Sequence, residues 1–237
     1  SKLPIVDNGS TGNQSLAKGS FIVNTTMTAF LYGGTITGGS RTPLTVVYST
    51  DLGTQWTTCE IDDTYGAQYY YIDFFDENSG VIVAEYSSGN NQTYSKIYTT
   101  SNGGNSWSTT GQGPSTGQLK GAKFINAQTG FFAYEYNDEV DSNLYMTSDG
   151  AKTFEKIYLP EQKLESAITE AVGEDASWSS VFKEASVPVV DKNSDIIVYL
   201  TQGSEGSYNS GRTAAKYISS DRGVTFKYSG LVEISKE

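Results

Sequence analysis

The sequence predicts an all-β chain of short antiparallel strands with one small helical insertion, and three observations carry that reading. The 237 residues include 17 Tyr, 10 Phe and 25 Gly, and their short apolar runs, broken by Ser, Thr, Asn and Gly, are typical of strands joined by tight turns. An octet that opens on a hydroxyl residue and closes on an aromatic recurs in one frame: Ser49-Thr-Asp-Leu-Gly-Thr-Gln-Trp56, Thr100-Ser-Asn-Gly-Gly-Asn-Ser-Trp107, Thr147-Ser-Asp-Gly-Ala-Lys-Thr-Phe154 and Ser219-Ser-Asp-Arg-Gly-Val-Thr-Phe226. Ahead of each octet an apolar run, a polar turn and a second apolar run recur as well, with turns beginning at Asn24, Asp76, Asn126 and Asp191. A period of roughly 50 residues with about four strands per unit is the make-up of a β-propeller blade, and about four blades are expected.

In chain order, residues 1–18 precede the first repeat and are the candidate for a ring-closing strand, while 19–237 are expected to form one domain. Each repeat reads strand, turn, strand, loop, strand, octet, strand. The third octet position, Asp51, Asn102, Asp149 or Asp221, is a short acceptor suited to the backbone N–H groups of a tight turn. The fifth, Gly53, Gly104, Ala151 or Gly223, is expected to be left-handed, which favours glycine. Ala151 departs from that pattern, and Gly150 beside it is expected to absorb the strain. The closing Trp56, Trp107, Phe154 or Phe226 is the first large apolar residue of the next strand, and its burial would lock the turn onto the sheet.

The connection after the third octet is longer than the others. Within it, 160–173 has Pro160 early, apolar Leu164, Ile168, Ala171 and Val172 at helical spacing, and Gly173 as a stop, which predicts a helix. Trp178, Val181, Phe182 and Ala185 repeat the spacing and predict a second short helix, so 160–185 reads as a small helical cap.

The octets resemble the Asp-box, or BNR, repeat, whose pattern is Ser/Thr-x-Asp-x-Gly-x-Thr-Trp/Phe. It occurs in sialidases, xyloglucan-cleaving glycosidases, sortilin ectodomains and photosystem II stability/assembly factors. The likeness spans about 19–235. It implies a propeller in which each octet links the third and fourth strands of a blade, on the side away from the ligand face, with a structural role. It implies no particular reaction.

On that frame the opposite rim collects the loops 33–44, 87–95, 136–143 and 202–214 within blades, and 61–68, 111–120 and 160–185 between them. Their Gly, Ser, Asn and Tyr supply adaptable hydrogen bonding and flat contact surface. Tyr65, Tyr94, Trp178 and Tyr208, with Arg212, are the candidate ligand-binding residues.

Composition excludes much chemistry. The chain has no His, so Ser-His-Asp and Cys-His catalysis and His-ligated zinc are ruled out. A net charge of −11 opposes broad binding to nucleic acid or to an anionic membrane. No apolar run approaches the ~20 residues of a membrane helix, so no direct membrane insertion is expected. A single cysteine, Cys59, forms no intramolecular disulfide and reads as a buried, unreactive thiol on a strand. A sialidase needs three arginines around a sugar carboxylate; Arg41, Arg212 and Arg222 are present, but Arg222 lies inside an octet. Paired carboxylates could hydrolyse a glycoside without histidine, and Asp62, Asp63, Glu135, Asp138, Glu139, Asp141, Glu174, Asp175 and Glu205 are the acids to weigh. Asp191-Lys-Asn193-Ser-Asp195 alternates oxygen ligands, but Ile196 and Gln202 stand where a calcium loop has its Gly and bidentate Glu. It reads as a turn, and no metal or cofactor is expected.

The sequence reading is a non-catalytic, exported or cell-surface binding module that takes a protein or carbohydrate through its loop rim. A secreted, periplasmic or surface location, after removal of an N-terminal signal not present in this chain, is expected. A glycoside hydrolase is the alternative, with an assembly-factor-like chaperone third; oligomeric state stays open.

Overall fold

In the computed structural model the described residues are 17–89, 92–137 and 142–235. The chain forms four successive antiparallel meanders, mostly of β structure. The first comprises β1 (Phe21–Val23), β2 (Thr28–Gly33), a two-stranded excursion of β3 (Ile36–Thr37) and β4 (Ser40–Arg41), then β5 (Leu44–Ser49) and β6 (Thr57–Ile61). The second is β7 (Ala67–Phe74), β8 (Gly80–Gly89), β9 (Gln92–Thr100) and β10 (Ser108–Gln112). The third is β11 (Leu119–Phe124), β12 (Gly130–Tyr134), β13 (Leu144–Thr147) and β14 (Glu155–Lys156). After α1 (Ser166–Val172) and α2 (Trp178–Val181), the fourth is β15 (Glu184–Ala185) and β16 (Val189–Val190), both pairing β17 (Ile196–Thr201), then β18 (Thr213–Ser219) and β19 (Lys227–Glu233).

Two local motifs punctuate every meander. The Asn24, Asp76, Asn126 and Asp191 side chains each accept two backbone N–H bonds at 2.7–2.9 Å, closing the turn between the first pair of strands. Each octet joins the third strand to the fourth through one hydrogen-bond pattern. Its opening hydroxyl, Ser49, Thr100, Thr147 or Ser219, donates to the third-position side chain at 2.7–2.9 Å. The same hydroxyl oxygen accepts the fifth-position N–H at 2.8–3.0 Å. The third-position oxygen accepts the seventh-position N–H, also at 2.8–3.0 Å. Local side-chain acceptors thus satisfy the N–H groups that a tight turn takes out of the ladder.

The backbone corrects one expectation. Both the fourth and fifth octet positions are left-handed, with φ of 57° and 82° at Leu52 and Gly53, 71° and 89° at Gly103 and Gly104, 74° and 70° at Gly150 and Ala151, and 62° and 92° at Arg222 and Gly223. Gly150 therefore does not spare Ala151, because the turn needs two consecutive left-handed residues and Ala151 is one of them. The closing aromatics also divide: Phe226 is buried, whereas Trp56, Trp107 and Phe154 are half-buried.

Two loops expected from the sequence are largely strand. β8 and β9 pair out to Gly89 and Gln92, extended by the Tyr86–Tyr94 cross-strand pair, whose rings stack at 5.5 Å. Residues 33–44 hold the β3–β4 hairpin. The helical insertion is shorter than its apolar spacing predicts: 160–165 stay outside α1, and α2 is one turn capped by Ser177. Pro160 offers its carbonyl to the Tyr217 hydroxyl at 2.8 Å and to the Gln162 amide at 3.2 Å, not to an intrahelical N–H.

The chain divides into two compact units. One holds the first two meanders with 121–130 and 147–154; the other holds 116–120, 131–146 and 155 onward. The first has a core of Leu31, Val46, Ile72, Phe74, Ile82 and Tyr98 among others. In the second, Phe131, Phe132, Tyr134, Phe182 and Tyr217 are fully buried or nearly so. The middle strands β5 and β8 are buried along most of their length, which is why they read as continuous apolar runs and not as alternation.

Candidate functional site

The second unit contains a cavity of about 410 Å³. Three chain segments and one strand end build it: Tyr136 with 142–144 at the start of β13, 157–161 after β14, 178–185 from α2 into β15, and Leu200 of β17. The floor is apolar and buried, made of Leu144, Trp178, Phe182 and Ala185. Towards solvent stand Tyr158, which is 61% exposed, together with Glu161 and Ser179; Tyr136 and Lys183 are half-buried. The Lys183 ammonium lies 5.3 Å from the centre of the Tyr136 ring, a cation–π arrangement.

The polar side chains at and beside the floor bond within the protein. Asn143, 5% exposed, donates from Nδ2 to the Tyr134 carbonyl at 2.8 Å and accepts the Ala185 N–H at 3.4 Å. The Ser142 hydroxyl donates to the Ile157 carbonyl at 2.6 Å and accepts the Leu144 N–H at 3.2 Å. Trp178 donates its indole N–H to the Tyr217 hydroxyl at 3.0 Å. Burial pushes the Tyr217 phenol up to about 12, so it keeps the proton that it gives to Pro160. Trp178 therefore offers only its ring, held 4.7 Å from Phe182 and edge-on to Tyr228 at 5.4 Å.

In the fourth meander the cavity and the octet occupy opposite ends. Ile196 pairs with Ser219 at the octet end of β17 and β18, whereas Leu200 pairs with Ala215 and with Ala185 at the cavity end.

Of the sequence candidates, only Trp178 lines this cavity, and as a buried wall, not an exposed platform. Tyr65 is 37% exposed, and Tyr94 stacks on Tyr86. Tyr208 belongs to a short 3-10 turn, 208–211, bonded through its backbone to the Gln202 amide. Arg212 is exposed and ion-paired with Glu233 at 3.6 Å. Sequence reading missed Tyr136, Tyr158, Glu161 and Lys183. The available signal was that 136–143 and 160–185 are two of the expected rim segments, and both contribute walls.

The alternatives can be placed too. Glu161 is the one carboxylate among the described residues lining the cavity, so those residues assemble no facing pair of acids. Asp138, Glu139 and Asp141, like residues 1–16, lie outside the described residues. Asp191 accepts the Asn193 and Asp195 N–H groups of its turn, and the described residues hold no cluster of three or more candidate metal ligands. Cys59 on β6 is half-buried, not buried as expected; its thiol donates to the Asn105 carbonyl at 3.4 Å, and burial together with Asp62 and Glu60 raises its pKa, which favours the protonated form. Comparison with protein-family models and with curated protein sequences found no match.

Proposed function

We propose that the chain is a non-catalytic binding module built on Asp-box blades of a β-propeller. Its ligand, a protein or a carbohydrate, enters the cavity at the end of the fourth meander away from the octet. The observation that carries the reading is the cavity's construction: a buried apolar floor ringed by aromatic and charged side chains, with Glu161 the one carboxylate among the described lining residues, which fits ligand capture. The blade reading is supported by four meanders that repeat the same two turn motifs at the same strand junctions.

A glycan array run beside a panel of fluorogenic glycosides tests the function. Saturable binding without turnover is the expected result. Turnover that Glu161→Gln abolishes would replace the binding module with a hydrolase.

A further inference from the structure

Resting on the binding-module reading, we propose that the cavity takes one large apolar side chain presented by a basic polypeptide, and not a sugar. The first argument is hydrogen-bond accounting. A pyranose brings several hydroxyls, and each one buried without a partner costs about 1–3 kcal/mol. Here the polar side chains beside the floor already bond within the protein: Asn143 Nδ2 to the Tyr134 carbonyl and its Oδ1 to the Ala185 N–H, the Ser142 hydroxyl to Ile157 and Leu144, and the single Trp178 N–H to Tyr217. What Leu144, Trp178, Phe182 and Ala185 offer at the floor is apolar surface. A floor of that kind rewards an aliphatic or aromatic anchor, the usual centre of a protein–protein interface.

Charge supplies the second argument. The segment 160–175, whose Glu161 lines the cavity, carries Glu161, Glu165, Glu170, Glu174 and Asp175 against Lys163 alone, all exposed. The whole chain is at −11. A partner with Lys or Arg beside its anchor would be attracted, and that attraction would weaken with salt. Lys183, half-buried over Tyr136 in the cavity lining, is the cation there that could meet a backbone carbonyl of the same peptide.

Titration calorimetry on the full chain tests this with four probes. They are the amidated peptide Lys-Lys-Gly-Trp-Gly-Lys-Lys, its Trp-to-Ser and Lys-to-Glu counterparts, and a mixture of chitotriose, maltotriose and xyloglucan heptasaccharide. The expected result is a Kd below about 1 mM for the basic Trp peptide. Loss of the Trp, or the Tyr158→Ala substitution, should weaken binding about tenfold, and raising NaCl from about 20 to about 200 mM should weaken it further. Tyr158 is mostly exposed, and far-UV and near-UV circular dichroism will report whether that variant is still folded. Equal affinity for the acidic peptide, or for the Ser peptide, overturns the proposal. So does oligosaccharide binding that Tyr158→Ala removes, which would leave the binding-module reading standing with a sugar as its ligand. Absence of binding by the basic Trp peptide also overturns it, and the glycan array then judges the wider reading independently.

Discussion

Replacing the fifth octet residue separates backbone strain from packing. At Gly223 φ is 92°, and an L-residue held in that left-handed region costs roughly 1–2 kcal/mol. An added Cβ would also sit 2.5 Å from Phe131 Cζ, 2.6 Å from Cε1 and 3.1 Å from Met146 Sδ. Phe131 is fully buried and cannot swing aside, so overpacking adds about 1–3 kcal/mol. Gly223→Ala should therefore cost about 3 kcal/mol, a fall in Tm of roughly 6–12 °C for a chain of this size. At Gly53 the φ is similar, 82°, but the Cβ would meet Trp56 at 3.3 Å, and that ring is half-buried and can yield. Gly53→Ala should cost only the backbone part, about 1 kcal/mol. Ala151→Gly runs the experiment backwards: relief of a φ of 70° is offset by loss of a buried methyl, ~0.8 kcal/mol, and by the added freedom of the unfolded chain. Its Tm should stay within about 2 °C of the parent. Differential scanning calorimetry on the three variants gives the ranking. Equal losses at 223 and 53, or a gain at 223, would refute the claim that one backbone frame is modulated by its neighbours.

Three further outcomes follow from named atoms. The Trp107 indole N–H is buried without a hydrogen bond, whereas that of Trp56 donates to the Gly53 carbonyl at 3.1 Å, so Trp107→Phe should be nearly neutral in urea unfolding and Trp56→Phe should cost about 1 kcal/mol; the reverse order would sink the assignment. Hydrogen bonds from Thr153 and Thr225 hold the Asp149 and Asp221 carboxyls down to about 2, below the usual value near 4, so their stabilisation is full above about pH 4 and is lost as pH falls towards 2. The double variant Asp149→Asn, Asp221→Asn should be less stable than the parent at neutral pH, converge with it as pH falls towards 2, and so flatten that acid slope; an unchanged slope would contradict the cause given. Tyr217→Phe strands the Trp178 N–H and frees the Pro160 carbonyl, for a loss of about 2 kcal/mol and a shift in Trp emission; unaltered stability and emission would mean that the Trp178–Tyr217–Pro160 chain does not hold the cavity floor.

The turns were legible because their physics is local. In each octet every bonded pair lies within a few residues, so the pattern hydroxyl, acceptor, left-handed pair and closing aromatic is written in the order in which it folds. The strands between followed from that frame. The two left-handed positions were only half visible, since Leu52 and Arg222 at the fourth position carry no sign of it. The insertion shows where local spacing stops deciding: Leu164 continues the helical pattern of Ile168 and Val172, yet 160–165 are held outside the helix by contacts to Gln162 and to Tyr217, a residue far along the chain.

The cavity lies beyond that limit for a related reason. Its walls come from four places in the chain, and no spacing links Tyr158, which follows a two-residue strand, to Lys183 or to Leu200. Yet its position has a physical cause. Octet and Asx turn both close hairpins at one end of the fourth meander, where Ser219, Asp221 and Asp191 tie side chains to backbone and leave little freedom for insertion. The other end of the same strands carries neither the octet nor the Asx turn among the described residues, and the long connection 157–183 and the 3-10 turn at 208–211 lie there. A pocket needs rigid walls and variable content. Here the pinned turns hold the strands in register, and the insertion brings Trp178 and Phe182 to the unpinned end, where an added segment alters the binding surface without disturbing the ladder beneath it.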